Sequence, residues 1–167
     1  MLPLIDVLTS ATNGGLMINF SPVTARMAVP VIITGYLFLG MGVFLAFIIL
    51  PHFVYHNLTH GFSKASMHSP AEILLIGPPG QAAAGFLGLG LAAQRDFGQY
   101  AKGTFLQSSA GMGLYSASVL LALLLLGLSF ILGLMTLVRL AENVRIWKFS
   151  LAWWASIFPL GDILFLN

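Results

Sequence analysis

The sequence predicts an all-α integral membrane protein, built from proline-kinked transmembrane helices arranged as helical hairpins. Three observations carry that prediction. First, 58% of the 167 residues are hydrophobic and only 7% are charged, with a mean hydropathy of +0.94. A soluble domain carries about a quarter charged residues, so lipid must be part of this chain's solvent. Second, apolar runs at about 29–53, 71–93 and 114–138 each exceed or approach the roughly 20 residues that cross a hydrocarbon layer about 30 Å thick. Third, prolines fall inside some of these runs and are missing from others.

Taken in order, residues 1–17 are apolar but broken by Asp6, Thr9, Ser10, Thr12 and Asn13, and end near Gly14 and Gly15. They fit the tail of a helix, a re-entrant segment or a surface helix. The first long run, 29–53, follows Arg26 and leads into a polar stretch rich in histidine. Arg95 and Asp96 close the second, 71–93, while Arg139, Glu142, Arg145 and Lys148 close the third, 114–138. A last run, 151–166, is too short to span comfortably. Both ends therefore look cut, and the whole chain is expected to form one partial transmembrane domain. Helices satisfy every backbone group internally where lipid offers no partner, and the short alternating segments of a membrane barrel are not seen.

The net charge of +2 does not point to nucleic acid, because the seven Lys and Arg are scattered singly between apolar runs and make no basic stripe. They read as helix flanks. The chain has no cysteine, which excludes disulfides and thiolate metal sites. Asp6 interrupts the first apolar stretch and no positive residue precedes it, so no signal peptide is expected. The dense positive charge of 139–150 favours that loop as cytoplasmic, together with 54–70. On that topology the sequon Asn57-Leu58-Thr59 stays unmodified.

Proline placement is the most informative chemistry. Gly77-Pro78-Pro79-Gly80 lies within the second run and Phe158-Pro159 within the fourth, while the third has no proline. Proline removes a backbone donor and kinks or breaks a helix, and broken membrane helices are tolerated where they are buried or line a wet cavity. Gly77, Pro78, Pro79 and Gly80 are therefore candidate path-lining residues. Gln81 follows directly, and its amide could donate to an anion without the cost of a buried charge, or make an ordinary interhelical hydrogen bond. Asp162 is an intramembrane acid, which marks either a functional site or a position close to water. Small residues at 82–90 favour close helix packing.

His52, His56 and His60 share one face of a continuing helix and could bind a metal, but juxtamembrane histidines also rest at headgroup level. No metal or other cofactor is expected. Glycines at 85, 88 and 90 have no preceding strand to make a nucleotide fingerprint, and no nucleophile elbow appears, so no enzyme is expected.

The segments Leu2-Pro3-Leu4 through Ser10-Ala11-Thr12-Asn13-Gly14-Gly15, Gly77-Pro78-Pro79-Gly80-Gln81, and Trp153-Trp154-Ala155-Ser156-Ile157-Phe158-Pro159-Leu160-Gly161 together resemble the tellurite-resistance/dicarboxylate transporter family, related to plant slow anion channels. Gly-Pro-x-Gly-Gln looks more like its sulfite-efflux branch than its malate branch. The resemblance implies ten helices in five hairpins, with an inner ring of kinked helices around a pore, often in a trimer. On that scheme the chain holds the end of helix five, helices six to eight and part of nine. It also implies that Phe158 plugs the pore beside Pro159, and that the substrate is a small anion, sulfite first and a C4-dicarboxylate such as malate second. Asp162 departs from the apolar or small residues usual there. The bilayer implied is the plasma membrane. Half a pore cannot close around a path, so the alternative is an inactive fragment or packing subunit.

Overall fold

The structure, a computed structural model, describes residues 2–60, 76–100 and 106–142. These form four helices and, among the described residues, no strand: α1 (Leu2–Phe20), α2 (Ala25–His60), α3 (Gly77–Asp96) and α4 (Ser108–Glu142). The all-α membrane fold class holds. Residues 151–166, and with them Phe158, Pro159 and Asp162, lie outside the described residues.

The helices alternate in direction. Leu8 packs against Gly42 and Gly14 against Val31, which sets α2 antiparallel to α1. Gly35 meets Leu89 and Gly85 meets Leu39, so α3 runs back beside α2. Gly90 against Ser118 and Gly111 against Ala93 bring α4 antiparallel to α3. As a result α1 and α3 run parallel, and α3 packs against all three other helices.

Helix α2 has 36 residues, about 54 Å at roughly 1.5 Å per residue. That exceeds a hydrocarbon layer of about 30 Å, so its ends project or it tilts. It carries no charged residue from Met27 to Pro51, and α4 none from Ser108 to Val138. Both are long and apolar enough to cross a membrane. Their outward faces are large and apolar, with Leu37, Phe44 and Ile48 on α2 and Leu124, Phe130 and Leu137 on α4 all exposed. Such a surface suits acyl chains and costs free energy in water.

Inside, Leu8, Ile32, Leu39 and Leu89 are fully buried. Lipid tails are as apolar as leucine, so packing of small against large residues, and not burial alone, holds such helices together. Gly15 shows how close the packing is. A Cβ built there would sit 3.1 Å from the backbone of Gly88 and Leu89, so α1 and α3 touch backbone to backbone.

One expectation about proline needs correction. Pro78 and Pro79 occupy the first turn of α3, so Gly77-Pro78-Pro79-Gly80 opens the described helix and does not interrupt it. Proline is well suited there, because the first turn has no intrahelical acceptor for its missing N–H. Gly77, lacking a Cβ, also avoids much of the clash that bars helical residues before proline. Helix α2 also contains prolines, Pro30 and Pro51, both exposed.

Candidate functional site: the polar seam between α1 and α3

Four interhelical hydrogen bonds of the described bundle gather along one line, the contact of α1 with α3. Thr9 and Gln81 mark its beginning. The Gln81 Nε2 donates to Thr9 Oγ1 at 2.8 Å, and the Thr9 hydroxyl donates in turn to the Ile5 carbonyl at 2.7 Å. One turn on, the Thr12 hydroxyl lies 3.1 Å from the Gln81 carbonyl and 3.0 Å from that of Leu8. Further along, Asn19 Nδ2 donates to the Gly88 carbonyl at 2.8 Å. At the far end Arg95 Nη2 donates to the Ile18 carbonyl at 3.0 Å. Gln81, Gly88 and Arg95 recur every seven residues, which keeps them on one side of α3.

Arg95 also grips its neighbour. Its Nε and Nη2 reach the two carboxylate oxygens of Asp96 at 3.1 and 2.9 Å. Asp96 is buried and Arg95 partly exposed, so the fork shields a carboxylate that would otherwise lie uncompensated. The same guanidinium caps the last turn of α1, where free carbonyls concentrate negative charge. Asn19, Phe20, Leu91, Gln94 and Arg95 together line an open pocket at this end.

The candidate residues 77–81 come together at the start of α3, and all five are buried. Pro78 and Pro79 face a narrow apolar cleft with Val43, Leu50 and Leu125, and Ser129 of α4 donates to the Ile76 carbonyl at 3.3 Å. Because residues 78 and 79 are both proline, this helix start has two fewer amide donors to offer an anion than a usual one. Gln81 makes the interhelical hydrogen bond that was one of its two readings, while its Oε1 is enclosed without a partner.

Along the outer side of α1, Asp6, Ser10, Asn13, Met17 and Phe20 are exposed, whereas Leu4, Leu8, Ala11, Gly15 and Ile18 are buried. Both sets follow the same helical spacing on different faces. The outward face is thus polar over its first three members. Sequence reading noted these residues only as interruptions, although the spacing 6, 10, 13 was a usable signal. His52 and His56 are exposed on one face of α2, and no group of three potential ligands forms among the described residues.

Residues 1–163 match the family described as voltage-dependent anion channel, SLAC1. Over 162 residues the chain is 29% identical to the sulfite efflux pump SSU1 of Arthroderma benhamiae, 27% to that of Arthroderma otae and 29% to that of Trichophyton rubrum. Each match covers 96% of this chain and 41% of the relative, so the chain spans about two-fifths of the length of these curated relatives. No solved structure matches it. These matches bear out the family resemblance. With helices α2 and α4 fit to cross a bilayer, this is a membrane protein, and the chain belongs to the voltage-dependent anion channel family.

Proposed function

We propose that this chain supplies helices to a path that carries small anions across a membrane, with sulfite as the first substrate and malate-type dicarboxylates as the second. Its family supports the general reading, and relatives named as sulfite efflux pumps support the particular anion. The observation that carries it is the division of the described surface. Helices α2 and α4 offer lipid a largely apolar face free of charge, while α1 exposes Asp6, Ser10 and Asn13 along one side.

In this reading Gly77, Pro78, Pro79, Gly80 and Gln81 fix the start of α3 behind the path wall, and Phe158 with Pro159 gates the path. Asp162 lines it, the membrane is the plasma membrane, and copies assemble as a trimer. The driving electrostatics come from helix ends and amide dipoles. Movement is passive or coupled to protons.

A chimera tests this. The matched segment of the Trichophyton rubrum pump is replaced by this chain, and sulfite and malate efflux are measured in cells lacking their own sulfite pump. Sulfite efflux above the empty-vector level is expected, rising further with Phe158→Ala. A chimera that reaches the cell surface yet moves neither anion contradicts the proposal.

A further inference from the structure

The outward stripe of α1 has a definite depth. Leu8 packs on Gly42, and Gly14 on Val31, so Ser10 and Asn13 fall between these two contacts with α2. Asp6 lies two residues beyond Leu8, about 3 Å along the axis, on the side of the Gly42 contact towards Phe44. That whole stretch of α2 is free of charge, and its exposed residues there, Leu37, Phe44 and Leu45 among them, are apolar apart from Thr34, whose hydroxyl donates to its own helix at the Pro30 and Val31 carbonyls. A carboxylate at such depth costs about 2.5–3.5 kcal/mol or more when it faces lipid. Yet Asp6, Ser10 and Asn13 are all exposed, while the opposite stripe of the same helix is packed against α2 and α3. The Ser10 hydroxyl turns back to the Asp6 carbonyl at 2.8 Å, which leaves the Asp6 carboxylate as the charged group of the stripe.

We infer that the Asp6–Ser10–Asn13 stripe of α1 faces water at membrane depth and that Asp6 gives this wetted wall a fixed negative charge. The inference deepens the transport reading and rests on it for its meaning: a fixed negative charge on an anion path weighs against doubly charged oxyanions and favours singly charged ones. Coulomb repulsion scales with the product of the charges, so Asp6 acts as a charge filter and not as a binding group.

The chain has no cysteine, so single substitutions report unambiguously. Ser10→Cys, Asn13→Cys, Phe44→Cys and Leu124→Cys are reconstituted in lipid vesicles within the chimera, its other cysteines removed. They are treated with membrane-impermeant methanethiosulfonates, one anionic and one cationic, and modification is read as a mass shift. Cysteine at 10 and 13 is expected to react at least about tenfold faster than at 44 and 124, equivalent to about 1.4 kcal/mol of barrier. Asp6→Asn in the Ser10→Cys background is expected to slow the cationic reagent and speed the anionic one. The change is roughly threefold each for a charge one helical turn away in a watery medium.

Rates at 10 and 13 as slow as at 44 and 124 overturn the inference, and so does a charge preference that Asp6→Asn leaves unmoved. Because the readout is modification and not flux, a chimera that carries no sulfite refutes the transport reading without touching this result.

Discussion

The amide of Gln81 on α3 donates a 2.8 Å hydrogen bond to the hydroxyl of Thr9 on α1, and the same residue's Oε1 is buried without a partner. Half of this side chain is satisfied and half is not. Losing a partner costs a buried polar group about 1–3 kcal/mol, whereas replacing it with an apolar group of similar shape is nearly neutral. Thr9→Val is therefore expected to destabilise the protein by about 1–2 kcal/mol, because it strips the amide of its acceptor. Gln81→Met is expected to cost less than Thr9→Val, since it removes the orphaned oxygen together with the bond. Thermal unfolding of both variants in detergent checks the order.

The contact of Gly15 with the backbone of Gly88 and Leu89 makes a second prediction. A Cβ at 15 meets main-chain atoms at 3.1 Å, which cannot move as a side-chain tip can, while a Cβ at Gly40 meets nothing within 4 Å. Gly15→Ala is expected to force α1 from α3 and cost about 1–3 kcal/mol. Gly40→Ala, mid-helix with free space, is expected to stabilise by about 0.5–1 kcal/mol. Comparing the two melting temperatures decides it.

Arg95 joins Asp96 to the end of α1. Arg95→Ala removes the cap on Ile18 and strands a buried carboxylate. The expected loss is about 1–3 kcal/mol, below that of a fully buried pair because the guanidinium is partly exposed. Asp96→Asn in the Arg95→Ala background is expected to recover part of it. Arg95→Lys is expected to restore the charge without the two-sided grip. A double-mutant cycle followed by thermal unfolding measures the coupling.

Turning at Gly98 is also demanding. Its φ of 88° lies in the left-handed region that side chains avoid, and a Cβ there would run into Ser108 Oγ at the start of α4. Gly98→Ala is expected to lose about 1–2 kcal/mol by the same assay, with α3 and α4 no longer meeting tightly at Gly111.

The helical membrane fold was legible because apolar composition and run length respond to the bilayer directly, as the charge-free stretches of α2 and α4 show. Their ends were less so, since Arg26 and the histidine-rich stretch after Phe53 bound an apolar run without ending helix α2. Pro78 and Pro79 misled for a related reason: proline breaks a helix interior yet suits its first turn, and residue type alone does not say which position it holds. The seam was hidden because Thr9, Thr12 and Asn19 acquire their roles only when α3 arrives some 70 residues later in sequence. Gln81 was visible as a polar residue at depth, but its partner was not. The face formed by Asp6, Ser10 and Asn13 could have been found from its spacing alone.

The most direct measurement is sulfite flux through vesicles carrying the chimera with Ser10→Cys, before and after complete modification by the anionic thiol reagent. A path along α1 predicts that flux falls to the background of empty vesicles, while modification forced at Leu124→Cys leaves it unchanged. Flux that persists undiminished with residue 10 fully modified would contradict the account.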